Sequence, residues 1–287
     1  MKKSLEFDVS AEGTLLPFLV TCFPGKSRNY VKGILKRGQI TVDGAVCTDY
    51  ARSLTPGQRV CMAKTSPTTY DLGFPLLYED DDLIVIDKPA GMLAIATDSE
   101  REHTAYHIVT QYVKAQTKSG RVFVVHRLDR ETSGIMILAK NERIKQQLQE
   151  NWNDAVLRRG YMAVVEGRVN AAEGTVKSWL KQTKTFLVYS SHKEGDGKLA
   201  ITRYQTVRTS DRYSLLDISL DTGRKNQIRV HMGDLGHPVA GDKKYGATTN
   251  PLGRLGLHAS VLRIKHPTSG EAMQFTSATP RAFLKMF

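Results

Sequence analysis

Two apolar runs, both typical of buried strands, flank a strongly polar loop near the middle of the 287-residue chain. The stretch is VFVVHRLDRETSGIMILAKN, residues 122–141. Short continuous apolar runs are typical of strands covered on both faces, so the segment predicts two core strands joined by a loop. The loop holds five ionisable side chains between His126 and Glu131. They fall where a strand end meets a loop, which is a common place for functional groups.

Arg127 and Asp129 are the first candidates within this loop. If a strand covers 121–128, the two side chains project to the same side, because they lie two residues apart. A nearby cation favours the ionised carboxylate, which is the form that a nucleophilic aspartate needs. By residue type and spacing alone, a structural Arg–Asp pair that closes a hairpin is the commoner explanation.

The net charge indicates the kind of partner. Lys and Arg number 41 against 29 Asp and Glu, which gives a formal net charge of +12. Such an excess favours a polyanionic partner, most often a nucleic acid. A basic but unspecialised surface is the alternative.

The cysteines and the N-terminus indicate the compartment. The three cysteines, Cys22, Cys47 and Cys61, fit neither a disulfide framework nor the paired spacing of a zinc site. The N-terminal segment lacks the apolar core of a signal peptide, and no run approaches the roughly 20 apolar residues of a membrane span. We therefore expect free thiols, a cytoplasmic location and no membrane partner.

A change in composition predicts two domains. Residues 64–75, KTSPTTYDLGFP, are rich in Ser, Thr, Pro and Gly and are typical of a linker. Short, strongly punctuated elements occupy 1–63, whereas apolar strands and amphipathic helices fill 76–287. With 40% hydrophobic residues, the chain can bury one large core and one small core.

The N-terminal segment predicts a basic helix followed by a hairpin. Ser27 can cap a helix that runs to about Arg37, with Gly38 as its terminator. Cations at four-residue intervals share one face of this helix, namely Arg28, Lys32 and Lys36. The following QITVDGAVC alternates on both sides of Asp43-Gly44, which is a strong hairpin signal. The cationic face suits phosphate binding, although a solvated helix face explains the charges nearly as well.

This segment resembles a known RNA-binding module. SRNYVKGILKRGQITVDG (27–44) and LTPGQRV (54–60) are similar to the module named after small-subunit ribosomal protein S-four. Gln58 stands where that family often has Asp. The resemblance covers about residues 10–63 and implies a small α/β RNA-binding domain, in which Arg28, Lys32 and Lys36 contact RNA.

The central stretch resembles a second family. HRLDRETSGIMILAKN (126–141) is similar to the central motif of the RluA-type pseudouridine synthases, HRLDxxTSG followed by an apolar strand. In that family the Asp of the motif is the catalytic nucleophile, which would be Asp129. The Arg of the motif lies against the RNA stack while the target base is flipped out, which would be Arg127.

Further segments resemble the same family in the expected order. They are YEDDDLIVIDKPAGMLA (78–94), RRGYMAVVEGRV (158–169), LDTGRKNQIRVHMGDLGHPVAGDKKYG (220–246) and LHASVLRIKHP (257–267). The resemblance implies that Tyr161 is the active-site tyrosine and that Arg229 is the basic partner of Asp129. By pattern alone, Tyr161 is more often a core residue and Arg229 an ordinary arginine on a helix surface.

One position departs from the family. Thr-His commonly precedes the QIR of the third segment, and Lys225-Asn226 stands there in this chain. Because Asp129, Tyr161 and Arg229 all remain, we expect the change to affect an RNA contact rather than the chemistry.

We expect no metal, redox cofactor or ATP. Uridine isomerisation breaks a C–N bond and joins C1′ to C5 of the same base, with no net electron transfer and no external group. The histidines lack a metal-ligand spacing such as HExxH and are expected to be structural or to face RNA. They are His126, His231, His237, His258 and His266.

The resemblance implies an α+β fold with a mixed, mostly antiparallel sheet around a basic cleft. The expected activity is isomerisation of uridines in structured RNA. Large-subunit ribosomal RNA is the first candidate substrate and transfer RNA the second. The enzyme is expected to be a monomer. Two alternatives remain open. One is an inactive RNA-binding or ribosome-assembly factor, and the other is an Asp-dependent nucleoside hydrolase, which would cleave free uridine.

Overall fold

The computed structural model describes residues 5–36, 38–62, 72–117 and 119–287, and at positions 29 and 36 it describes the backbone alone. Most of the predicted linker, the predicted helix end at Arg37 and the side chain of Lys36 therefore lie outside the described residues. Within the described ranges, no helix is long and apolar enough to cross a membrane.

The N-terminal residues form a four-stranded sheet with the strand order β1-β6-β3-β4, and a separate two-stranded pair of β2 with β5. The strands are β1 (Leu5–Asp8), β2 (Gly13–Thr14), β3 (Ile40–Val42), β4 (Ala45–Val46), β5 (Ser53–Leu54) and β6 (Arg59–Met62). The two helices are α1 (Leu15–Cys22) and α2 (Arg28–Lys36). Their buried residues make one hydrophobic cluster between Val9 and Val60.

Two local predictions for this region, the helix cap at Ser27 and the hairpin turn at Asp43-Gly44, are confirmed. Ser27 accepts a hydrogen bond from the backbone N–H of Tyr30 at 3.1 Å, as an N-terminal cap of α2 does. Strands β3 and β4 are joined at Asp43-Gly44, where both residues have positive φ, at 52° and 82°. Such a pair suits a two-residue type I′ turn, which explains the Asp-Gly sequence.

The remaining chain forms an 11-stranded sheet with the order β13-β12-β14-β15-β11-β16-β10-β8-β7; β17 pairs with β16 and β9 with β10. The strands are β7 (Leu76–Glu79), β8 (Leu83–Lys88), β9 (Phe123–Val124), β10 (Ser133–Ala139), β11 (Val156–Glu166), β12 (Glu173–Gln182), β13 (Val188–Ser191), β14 (Lys198–Thr209), β15 (Tyr213–Leu220), β16 (Leu257–Lys265) and β17 (Ala272–Thr276). The helices are α3 (Ala105–Gln116), α4 (Glu142–Glu150), α5 (Trp152–Ala155), α6 (Gln227–Asp234) and α7 (Arg281–Leu284), with a 3-10 turn at Lys243–Tyr245.

The sheet is mixed and mostly antiparallel, as predicted. Among the strands of the described ranges, β10 pairs with β16 in parallel and the other pairs are antiparallel. Both faces of β10 are covered, because Met136 and Leu138 pack in one cluster with α3 while Ile135 and Ile137 pack in another with α4. This double burial explains the continuous apolar run.

The strand predicted over 121–128 is much shorter than expected. Only Phe123–Val124 pair with β10, and residues 125–132 form the connection between the two strands. A strand that continued to residue 128 would place the Arg127 charge in a sheet whose strand β10 is covered on both faces, and the chain leaves the sheet before this residue. Asp129 therefore lies in a loop, not at the end of a strand.

Gly134 fixes the position of this loop against the sheet. Its φ is +113°, and a Cβ atom there would lie 2.1 Å from the carbonyl oxygen of Ala259 in β16. Only glycine permits this approach. The parallel pairing of β10 with β16 begins at this point, directly after the polar loop.

Candidate active site

The carboxylate of Asp129 is held by two donors from a distant part of the chain. Its Oδ2 atom accepts hydrogen bonds from Asn226 Nδ2 at 2.5 Å and from Arg229 Nη1 at 3.3 Å. The side chain remains 26% exposed. The group is therefore oriented by the protein and still accessible to a ligand.

Arg229 is fixed from its other side by Asp242. The Nε and Nη2 atoms donate to the two carboxylate oxygens of Asp242, at 2.6 and 2.7 Å. Burial alone would lower the pKa of Arg229, but the hydrogen bonds and charge of Asp242, together with Asp129, raise it. A permanently charged guanidinium therefore faces Asp129 from a fixed direction.

Asn226 occupies the position where the related family commonly has His. It directly precedes α6 with φ +54° and ψ +20°, a left-handed conformation that asparagine adopts more readily than most residues. Its Oδ1 accepts a hydrogen bond from the Tyr245 hydroxyl at 3.1 Å, while its Nδ2 donates to Asp129. The sequence suggested an RNA contact at this position, whereas the structure places the Asn226 amide directly on the carboxylate.

Tyr161 lies on β11 beside this group. Strand β11 shifts register against β16 between Gly160 and Tyr161, which is the kind of bulge that redirects a side chain near an active site. Burial raises the pKa of the Tyr161 phenol; Arg159 opposes this shift and the Asp129 charge adds to it. The phenol therefore stays protonated and uncharged at neutral pH.

These side chains line a cleft of about 360 Å³, which we call the Asp129 cleft. Its lining residues are Arg127, Leu128, Asp129, Thr132, Tyr161, Leu220, Gly223, Arg224, Lys225, Asn226, Gln227, Ile228, Arg229 and Leu257. Four of them are cationic and one is acidic. The volume falls in the usual range for ligand sites, and the charge suits an anionic ligand.

The structure brings together four of the seven residues selected from the sequence, since Arg127, Asp129, Tyr161 and Arg229 all line the Asp129 cleft. Arg28 and Lys32 are exposed on α2 and do not line it. Sequence reasoning missed Asp242 and Tyr245, and it gave Asn226 no role at Asp129. A polar residue within a Gly- and Pro-rich turn, as in GHPVAGD, was the available signal for Asp242.

Two histidines have structural partners. His231 contacts Ser178 and Thr202, and burial lowers the pKa of His231 to about 4. His126 accepts a hydrogen bond from the backbone of β10, and burial lowers the pKa of His126 to about 4. Over the described ranges, no group of three or more His, Cys, Asp or Glu side chains is arranged to hold a metal ion.

Comparison with known proteins identifies the family. Residues 82–234, more than half of the chain, match the family model described as RNA pseudouridylate synthase. The chain belongs to this family. The matched region includes Asp129, Tyr161, Asn226 and Arg229.

Relatives of similar length agree with this assignment. An uncharacterized RNA pseudouridine synthase of Aquifex aeolicus is 31% identical, over 99% of this chain and 96% of the relative. The uncharacterized RNA pseudouridine synthase YlyB of Bacillus subtilis is 32% identical, over 92% of this chain and 89% of the relative. The ribosomal large subunit pseudouridine synthase D of Escherichia coli is 29% identical, over 93% of this chain and 87% of the relative.

A solved structure shows the same fold. The human RNA pseudouridylate synthase domain containing 4 superposes with a TM-score of 0.60 at 23% identity, over 73% of this chain and 90% of that one. This likeness confirms the predicted α+β pseudouridine synthase fold. The family model and the relatives confirm the RluA/RluD-type relationship and the enzyme class, an isomerase that modifies RNA.

Proposed function

We propose that this pseudouridine synthase isomerises specific uridines in structured RNA with Asp129 as its nucleophile. Large-subunit ribosomal RNA is the first candidate substrate and transfer RNA is the second. The observation that carries the proposal is the accessible Asp129 carboxylate, held by Asn226 and Arg229 within a basic cleft. The Escherichia coli relative is named for the large ribosomal subunit, which favours that RNA.

The reaction requires few groups. The C1′–N1 bond breaks, the uracil turns, and a C1′–C5 bond forms, while a proton leaves C5 and N1 gains one. Asp129 attacks the sugar or the base, or removes a proton, and each role needs an ionised and oriented carboxylate. Arg229 places a fixed positive charge 3.3 Å from this carboxylate. The chemistry creates no requirement for a metal or a redox cofactor.

The neutral Tyr161 ring supplies a flat surface for the uracil while it is detached. Stacking of a base on an aromatic side chain is worth roughly 1–3 kcal/mol. A ring that stayed uncharged would also avoid repulsion with Asp129, and the raised pKa of Tyr161 supports this role.

A target uridine in folded RNA has to leave its stack before it can enter the cleft, at a cost on the order of a few kcal/mol. Arg127 is exposed at the same cleft, and we assign it to a contact with the RNA stack during this step.

We assign residues 1–63 to an S-four-like RNA-binding domain that contacts RNA through Arg28, Lys32 and Lys36. The separate sheet and hydrophobic cluster of this region support the division into 1–63, a linker at 64–75 and a catalytic domain at 76–287. The enzyme is assigned to the cytoplasm as a monomer.

Mapping of pseudouridines by carbodiimide-dependent reverse-transcriptase stops tests the function. Total RNA is compared between cells with and without the gene, and between cells that receive wild type or Asp129→Asn. Stops that vanish on deletion and return only with wild type identify the target. If no stop changes while the purified protein still binds RNA, the chain acts as an inactive RNA-binding factor. Cleavage of free uridine would instead indicate a nucleoside hydrolase.

A further inference from the structure

Phe186 is an exposed aromatic residue at the tip of the β12–β13 hairpin. Its exposed fraction is 66%, and its φ is +63°, which is uncommon for a residue other than glycine. A large ring held in solvent by a strained backbone has no role in a core. Strained positions of this kind concentrate at ligand-binding segments.

The hairpin tip is internally braced. The backbone N–H of Phe186 donates to the Thr183 carbonyl at 3.0 Å, and Thr183 N donates to the Leu187 carbonyl at 2.8 Å. The Thr183 hydroxyl lies 2.9 Å from that of Thr185 and accepts from the backbone N–H of Leu187 at 3.1 Å. The ring is thus carried by a short loop, residues 183–187, that is held in shape by hydrogen bonds between its own residues.

Two lysines contact Phe186, one at its ring and one at its backbone carbonyl. The ammonium of Lys225 is 5.3 Å from the ring centroid, and Lys244 donates to the carbonyl oxygen of Phe186 at 3.4 Å. Both lysines are exposed, as is Lys184 within the hairpin tip. An exposed aromatic ring with one cation at the ring and a second at its backbone suits a nucleic-acid base and its phosphates. An apolar protein surface would leave the ammonium groups unpaired.

The hairpin is also connected to the Asp129 cleft. Lys225 lines that cleft, and its neighbour Asn226 donates to Asp129. Tyr245 accepts a hydrogen bond from the backbone of Val188, two residues beyond Phe186, and donates to Asn226. Phe186 and the Asp129 carboxylate are therefore linked through the adjacent residues Lys225 and Asn226.

We propose that Phe186, Lys225 and Lys244 form a stacking platform for an unpaired RNA base that flanks the target uridine. Lys225 is one of the two residues that replace the common Thr-His, so the departure from the family supplies a cation to this platform. The inference rests on the proposed function, because it assigns a second contact to the RNA that enters the same cleft.

The test uses the full chain and a fluorescein-labelled oligouridylate, with fluorescence anisotropy as the readout. Phe186→Ala is expected to raise the Kd roughly 5- to 150-fold, the loss that corresponds to one stacked base. Phe186→Trp should bind as tightly as wild type. Val207→Ala is the matched control, since Val207 is also exposed, at 50%. The hairpin lies beside the N-terminal end of β14, whereas Val207 lies near the C-terminal end of that strand. Circular dichroism melting checks that each variant is folded.

Salt dependence separates the ring from the lysine. Phe186→Ala should leave the slope of log K against log salt unchanged, because stacking releases no counterions. Lys225→Gln should reduce the slope by about 0.7, the value for one phosphate contact on a single strand. Lys285→Gln, an exposed charge on the C-terminal segment, should not change it.

Equal affinities of wild type and Phe186→Ala would overturn the platform, as would a wild type that does not bind oligouridylate. Pseudouridine formation is scored separately in the cellular mapping. Product that depends on Asp129, with no effect of Phe186→Ala on binding, leaves the function standing and removes the platform. If Phe186→Ala weakens RNA binding but wild type forms no product, the RNA-binding platform stands and the proposed activity is overturned.

Discussion

Asp242 binds the guanidinium of Arg229 through both carboxylate oxygens, at 2.6 and 2.7 Å, and only 1% of the Asp242 side chain is exposed. The third guanidinium nitrogen is thereby directed at Asp129, 3.3 Å away. A planar guanidinium with two of its nitrogens engaged cannot rotate without breaking both bonds. The turn after α6 therefore sets the direction from which the positive charge reaches the candidate nucleophile.

Replacement of Asp242 should affect both stability and catalysis. Asp242→Ala removes the buried partner of Arg229, whose side chain is 15% exposed, and leaves Asp129 as its remaining acid. The free energy of unfolding should fall by about 3 kcal/mol. A displaced guanidinium should also slow the single-turnover rate on the mapped RNA on the order of 100-fold. Urea denaturation and rapid-quench assays measure the two effects. The control is Asp221→Asn, which breaks an exposed pair with Arg203 and should cost less than about 1 kcal/mol. A fully active Asp242→Ala would remove the orienting role.

Asp129→Asn should abolish product while the fold and the RNA binding remain. The substitution removes the charge but changes the volume little, and an amide can neither attack as a carboxylate does nor accept a proton at neutral pH. Pseudouridine formation, circular dichroism melting and RNA affinity are measured on the same preparation. Near-normal turnover by Asp129→Asn would show that the nucleophile lies elsewhere.

Asn226 should influence the rate through Asp129. Asn226→Ala removes a hydrogen bond to a charged group, which is worth about 1.5–3 kcal/mol, so the rate should fall roughly 10- to 150-fold. Asn226→Asp places a second carboxylate beside that of Asp129 and should raise the pKa of the pair, because like charges disfavour ionisation. The acid limb of its pH–rate profile should therefore move to higher pH. Asn226→His restores the residue common in the family and should retain activity. An unshifted pH–rate profile for Asn226→Asp would show that residue 226 does not act on the reaction through the Asp129 carboxylate.

The sequence predicts those parts of the fold that short-range interactions determine. The cap at Ser27 and the turn at Asp43-Gly44 depend on neighbours within a few residues, and both were predicted correctly. The strand expected over 121–128 failed because apolar residues alone do not show where a ladder ends. That end depends on β10, whose pairing with β16 requires the close approach of Gly134 to Ala259.

The candidate site was predictable where a motif carried it and not where a tertiary interaction did. Asp129, Tyr161 and Arg229 lie in recognisable segments. The amide of Asn226 reaches Asp129 across 97 positions of sequence, and Asp242 reaches Arg229 across 13. Neither hydrogen bond leaves a periodic signal in the sequence, so the roles of Asn226 and Asp242 emerge only when α6 and the following turn are placed beside the polar loop.

Acid should destabilise the fold through the buried histidine of α6. Burial lowers the pKa of His231 from 6.5 to about 4, so between these values the unfolded chain binds a proton that the folded chain does not. The resulting stability is present above pH 6.5 and is lost as the pH falls towards 4, by up to about 3 kcal/mol. Urea denaturation at pH 7.5, 6 and 5 measures this slope. His231→Gln removes one of the two histidines whose pKa burial lowers to about 4 and should reduce this slope, while the part due to His126 remains. An unchanged slope would assign the effect to other groups.

The exposed cations of α2 should contribute to RNA affinity through charge alone. Arg28 and Lys32 are both exposed. If they bind phosphates, Arg28→Gln/Lys32→Gln should weaken binding of the mapped RNA and reduce the slope of log K against log salt by about 1 for each phosphate that is no longer neutralised. The matched control is Arg263→Gln/Lys265→Gln, which removes two exposed charges from β16. Because both double variants change the net charge equally, a general electrostatic effect would reduce the two slopes alike. A larger reduction for the α2 variant would mark that helix as an RNA-binding element, and an unchanged slope would remove it from the binding surface.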